Sequence, residues 1–200
     1  MIPFAPTLLI AILRGVKPDE AEAIVSGFGA IKVPLNSPEP LKGVEVIARR
    51  FGEVTLAGSG TVLTPGAVEG ATAAGARLIV GANAEPAVIE RALKVGLFDL
   101  PGVATPTEAF AAESLGASGL KPFPAEAMPP EAVRGWRSVL PKETHLFPVG
   151  GITPEHIAPN RKASADGFGV GGALCGAGMT AAEVAANATA FVEAWREAEA

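Results

Sequence analysis

Eight compact apolar runs, separated by alanine-rich stretches of helical composition, most constrain how this 200-residue chain can fold. They lie at Leu8–Leu13, Ala30–Leu35, Thr55–Gly60, Leu78–Ala82, Phe98–Val103, Gly119–Pro124, His145–Gly150 and Gly167–Gly172. Each is too short for a helix and several are bounded by glycine or proline, so they read as buried strands. Helix-start signals follow many of them. Ser37-Pro38, Thr64-Pro65, Thr105-Pro106 and Thr153-Pro154 each put a capping residue before a proline. Proline suits the first helical position, where its missing N–H would have no partner in the helix anyway. Thr105 with Glu108, and Thr180 with Glu183, have capping-box spacing, which assigns both glutamates to helix starts rather than to chemistry.

Strands and helices in alternation mean a parallel α/β architecture. A single (β/α)8 TIM barrel, one domain over residues 1–200, is the expected closed solution, at the short end of that fold's size range. An open doubly wound sheet is the alternative, and it would need a glycine fingerprint with an acid about 20 residues later. Gly169-Val170-Gly171-Gly172 lies near the C-terminus without that context. The 24 glycines and 18 prolines are scattered rather than gathered in a linker, as many short elements with tight connections require.

Charge and cysteine usage exclude several classes of function. A net charge of -5 with no basic stretch argues against a nucleic-acid partner. Cys175 is the only cysteine, so no disulfide can form within the chain and nothing points to an oxidising compartment. The apolar run Leu8–Leu13 is too short for a membrane span and lacks the basic region of a signal peptide, so a cytoplasmic protein is expected. His145 and His156 are isolated in sequence and form no ligand set with Cys175 or the carboxylates; no metal or other cofactor is expected.

The chemistry concentrates in Leu120-Lys121-Pro122-Phe123-Pro124. Lysine is almost never fully buried without a partner, and this one ends an apolar run closed off by prolines. Apolar surroundings disfavour its charged form, leaving more free amine to attack a carbonyl. Strand parity adds companions. In Ala30–Asn36 the apolar set Ile31, Val33 and Leu35 should face the helices, which turns Lys32 and Asn36 to the interior. Arg14 shares the parity of Ile10 and Ile12. Arg14, Lys32, Asn36, Thr61 and Lys121 should therefore converge at the C-terminal ends of the strands, where such barrels carry their sites. Three of the five are cationic and none is acidic, a balance suited to an anionic ligand. The glycine pairs Gly150-Gly151 and Gly171-Gly172 end the last two strands, where backbone N–H groups commonly hold phosphate.

These segments resemble the class I 2-keto-3-deoxy-6-phosphogluconate and -galactonate aldolases. The resemblance runs through Ala11-Ile12-Leu13-Arg14-Gly15, Pro34-Leu35-Asn36-Ser37-Pro38, Gly60-Thr61-Val62-Leu63 and Pro101-Gly102 to Thr105-Pro106-Thr107-Glu108. It continues through Lys121-Pro122-Phe123-Pro124-Ala125-Glu126 and Val149-Gly150-Gly151-Ile152-Thr153-Pro154, nearly end to end. Leu-Asn-Ser-Pro looks like the galactonate branch. The resemblance implies a homotrimer that cleaves a phosphorylated keto-deoxy sugar acid to pyruvate and D-glyceraldehyde 3-phosphate. It makes Lys121 the Schiff-base lysine, puts Arg14 and Thr61 around the substrate carboxylate, and puts Gly150, Gly151 and Gly172 at the phosphate.

The chain departs from that family in three places. Lys32 stands where the family has its catalytic glutamate, so a slow enzyme is expected, with Lys32 itself, Glu126 or Asp99 moving protons. Gly172 replaces the family's usual serine. Only nine residues, Ala21 to Gly29, separate Glu20 from the second strand, which implies a short first helix. Two rival readings share the site: a 4-hydroxy-2-oxoglutarate aldolase with the same lysine chemistry, and a catalytically impaired homologue that binds phosphosugar acids.

Overall fold

The computed structural model describes residues 7–14, 21, 24–25, 27–176 and 178–199. The stretch expected to form the short first helix lies mostly outside them. In chain order the strands are β1 (Leu9–Ile12), β2 (Ala30–Pro34), β3 (Leu56–Val62), β4 (Leu78–Gly81), β5 (Phe98–Leu100), β6 (Gly102–Val103), β7 (Lys121–Pro122) and β8 (Phe168–Val170). The helices are α1 (Pro40–Phe51), α2 (Pro65–Ala73), α3 (Pro86–Lys94), α4 (Pro106–Ser114), α5 (Pro130–Arg137), α6 (Pro154–Lys162) and α7 (Ala181–Glu199). One parallel sheet runs β5-β4-β3-β2-β1-β8, and β6 pairs with β7 in a second, two-stranded sheet.

Eight continuous strands were expected, and two of the runs differ. Phe98–Val103 breaks at Pro101, which has no N–H to give a ladder, and so yields β5 and β6. His145–Gly150 forms no ladder and joins its neighbours through two isolated parallel bridges, Leu120 with Leu146 and Val149 with Gly169. Pro148 interrupts its donors, yet its carbonyl still accepts from Gly169 N at 3.1 Å, while Phe147 N donates to Leu120 O at 2.9 Å.

The sheet divides two apolar layers. Ile10, Ala30, Leu56, Leu78, Val80, Leu100 and Phe147, none of them from a helix, make the inner one. Ile31 and Val33 turn the other way and pack with Val44 and Ile47 of α1. Each large side chain removed from water there contributes about 1.5–3 kcal/mol.

Of the seven helices named, six begin at proline. Thr64 Oγ1 accepts from Ala67 N at 3.2 Å. Thr105 and Glu108 form the reciprocal box, at 2.9 Å from Thr105 N to the carboxylate and 3.3 Å from Glu108 N to the hydroxyl. Thr180 and Glu183 do the same at 2.7 and 3.3 Å. At α6, Thr153 N donates to His156 Nδ1 at 3.1 Å, which gives that histidine a capping role. Ser37-Pro38 does not start a helix. Ser37 N closes a turn onto Pro34 O at 3.0 Å, and α1 begins two residues later, at Pro40 behind a left-handed Glu39. At the opposite end of the strands, Arg137 ties three segments, donating to Thr144 O (2.6 Å), Ser164 O (3.0 Å) and Asp166 Oδ2 (2.6 Å).

Candidate active site

Alternation along β2 puts Lys32 on the same face as Ala30, inside the sheet, where it is 6% exposed. Its side chain lies across β3 at Gly60. A β-carbon at Gly60 would collide with Lys32 Nζ and Cδ. Lys121 opens β7 and is 4% exposed. Its own N–H reaches Pro101 O at 2.9 Å, which sets its register. Its Nζ donates to Gly81 O at the end of β4 at 2.5 Å and sits 4.3 Å from the centre of the Phe123 ring. Two buried amines thus occupy the inner ends of adjacent strands, β3 and β4.

Their ionisation follows from that placement. Burial, and then the charges of Lys121 and Arg14, push Lys32 down to about 7. Burial pushes Lys121 down to about 8. Burial thus holds both amines well below the ordinary lysine range.

The other sequence candidates stand around this pair. Arg14 and Asn36 are exposed just past β1 and β2, and Arg14 Nη1 donates to Asn36 Oδ1 at 3.2 Å. Thr61 is half-buried with φ +56°, a left-handed conformation that a β-branched residue rarely adopts. It falls where the β3–β4 register shifts between Gly60 and Val62, and such bulges re-aim side chains beside active sites. A cleft of about 650 Å³ brings Arg14 together with Gly150, Gly151, Gly171 and Gly172. Lys32, Asn36, Thr61 and Lys121 do not line it; Phe123, which does, connects it to Lys121 through the ring contact.

Two groups, one side chain and one carbonyl, gain a position that residue spacing does not disclose. Glu126, on the 3-10 turn Ala125–Ala127, rests against the Gly150-Gly151 turn, where φ is +113° and +59°. A side chain at either glycine would strike the Glu126 carboxylate or its stem. Gly81 supplies the acceptor for Lys121, and a main-chain carbonyl leaves no mark in sequence. Asp99 is a correction. In register with Ile79 it faces the helical layer, 1% exposed, with neither carboxylate oxygen hydrogen-bonded among the described residues. It points away from the amines and takes no part in proton transfer there. Burial pushes it up to about 7.

Residues 3–194 match the family model described as KDPG and KHG aldolase. The chain belongs to that family. It is an aldolase, a carbon–carbon lyase. It is 44% identical over 195 residues to 2-dehydro-3-deoxy-6-phosphogalactonate aldolase of Escherichia coli (strain K12), covering 95% of each chain. It is also 44% identical over 192 residues to the probable 2-dehydro-3-deoxy-6-phosphogalactonate aldolase of Rhizobium meliloti (strain 1021), covering 94% of this chain and 91% of that one. Among solved structures, one titled native KDPGal superposes with a TM-score of 0.90 at 43% identity, over 96% of this aldolase and 95% of that chain. No helix among the described residues is long and apolar enough to cross a membrane.

Proposed function

We propose that this aldolase cleaves 2-dehydro-3-deoxy-6-phosphogalactonate to pyruvate and D-glyceraldehyde 3-phosphate through a Schiff base on Lys121. The observation that carries the reading is the buried Lys121 amine, fixed on Gly81 O and free of any carboxylate partner among the described residues. The amine adds to the C2 carbonyl, and loss of water leaves a protonated imine. That cation draws in the electron pair of the C3–C4 bond as the aldehyde departs, and the enamine left behind is protonated and hydrolysed. Arg14 and Thr61 hold the substrate carboxylate, Asn36 sits towards C4, and the N–H groups of Gly150, Gly151, Gly171 and Gly172 receive the phosphate. Lys32 is the proton-moving group at the position of the family glutamate.

The two bridges at Leu120–Leu146 and Val149–Gly169 support reading the two sheets as one closed eight-membered barrel, a single domain over residues 1–200. We read the working protein as a cytoplasmic homotrimer. The test is borohydride reduction with pyruvate, which should fix one adduct on Lys121, together with turnover on the galactonate and gluconate epimers side by side. No adduct would end the reading.

One observation favours a 4-hydroxy-2-oxoglutarate aldolase as a second reading. The Glu126 carboxylate lies on the turn assigned to phosphate, and like charge there opposes a phosphate dianion. Faster turnover of the unphosphorylated substrate would select it.

A further inference from the structure

Lys32 is 6% exposed, and its Nζ makes no hydrogen bond or ion pair among the described residues. Its in-register neighbours, Ile12 on β1 and Gly58 on β3, carry no charge, and its close-packed neighbour is the bare backbone of Gly60. The two charged groups felt at this nitrogen are Lys121 and Arg14, both cations. Lys32 is therefore an unpartnered amine in the field of two positive charges, in a reaction that needs a base for the C4 hydroxyl.

We propose that Lys32 is a carbamylation site: its amine adds to carbon dioxide, and the resulting carbamate, in the field of Arg14 and Lys121, serves as the carboxylate base of the reaction. The amine lone pair forms a new N–C bond, one C=O π bond becomes the carboxylate, and the nitrogen releases one proton to solvent. Nothing is oxidised or reduced, and carbon dioxide is the sole co-reactant. Being small and apolar, it reaches a buried amine without the desolvation that an anion would suffer. The product sets an anion near two cations, so the local charge balance improves. The lowered ionisation of Lys32 supplies the free amine that the addition consumes. The use of this carbamate in catalysis rests on the aldolase reading above; its formation does not.

The experiment equilibrates the full chain with ¹³C-labelled bicarbonate near pH 8, without substrate, and traps carbamates by alkylation before peptide mapping. We expect one carbamate carbon resonance and the trapped label on the peptide carrying Lys32. The resonance should be absent from Lys32→Met. Label on Lys121 alone, or none on Lys32, overturns the site, and because the mapping uses the unaltered protein it does not depend on how any variant folds. Turnover should rise about tenfold or more from carbon-dioxide-free to bicarbonate-equilibrated buffer, a conservative part of what a positioned base supplies. Lys32→Glu should show no such dependence. A labelled Lys32 with unchanged turnover overturns the catalytic use of the carbamate, whereas loss of the pyruvate adduct on Lys121 overturns the aldolase reading instead.

Discussion

Lys32 lies across Gly60, its Nζ and Cδ in the space that a β-carbon at position 60 would fill. The pair is a lock: glycine is needed on β3 because lysine is present on β2. Gly60→Ala should evict the lysine and cost about 1–3 kcal/mol, the usual penalty of overpacking. In a Lys32→Ala background the same change should cost much less. A double-mutant cycle by chemical denaturation measures the difference, and purely additive costs would break the lock.

Lys32→Glu places a carboxylate at the inner end of β2. In carbon-dioxide-free buffer, turnover of the keto-deoxy phosphosugar acid should rise by about 10²-fold or more, as a positioned acid/base supplies. The new negative charge also favours the ammonium form of Lys121, so its ionisation should move up from about 8. The pH midpoint of imine formation with pyruvate should therefore shift to higher pH than in the unaltered protein. Stopped-flow trapping across pH reads both effects.

Thr61 is held left-handed at the β3 bulge. A non-glycine residue there carries about 1–3 kcal/mol of strain, partly offset by the greater chain entropy that glycine loses on folding. Thr61→Gly should stabilise the fold by about 1 kcal/mol in denaturant titrations while raising KM for pyruvate-forming substrate. A variant that is both less stable and unchanged in KM would show that the hydroxyl is not what the strain secures.

Asp99 links stability to pH. Its carboxyl is raised from 3.8 to about 7 in the fold, so between those values the folded chain holds more proton than the unfolded one. Its contribution is favourable in acid, falls as pH rises from about 4 to 7, and stays lost above. The full loss is about 4 kcal/mol in order of magnitude. Asp99→Asn should remove this slope, and its stability relative to the parent should improve from about pH 4 to about pH 7 and level off above. Parallel stability curves for the two proteins would contradict it.

The parts of the fold that depend on a two-residue period were legible in sequence. Ile31 and Val33 pack against helices and Lys32 does not, because a strand must send neighbours to opposite faces. The caps at Thr64, Thr105 and Thr180 were legible too, since their partners lie three residues away. Ser37-Pro38 misled because a second proline at position 40 competes for the same role, and the turn after β2 claims the Ser37 N–H. Pro101 and Pro148 sit in runs whose hydrophobicity reads as strand, yet each removes a donor on which a ladder depends. At the site, the type and facing of Lys32 and Lys121 were readable. The Gly81 carbonyl under Lys121, and Glu126 on the Gly150-Gly151 turn, come from contacts 40 and about 25 residues apart that no local pattern encodes.

The guanidinium of Arg137 acts at the rim remote from the amines, gathering the approaches to the ladderless run His145–Gly150 and to β8. Because the first of these has only isolated bridges to its neighbours, this one side chain works like a buckle for the final quarter of the molecule. Changes at that rim can then tune how firmly the belt closes without disturbing the chemistry at the other end. At that rim, unlike at Thr61 or Gly60, durability can be adjusted without touching the residues that react.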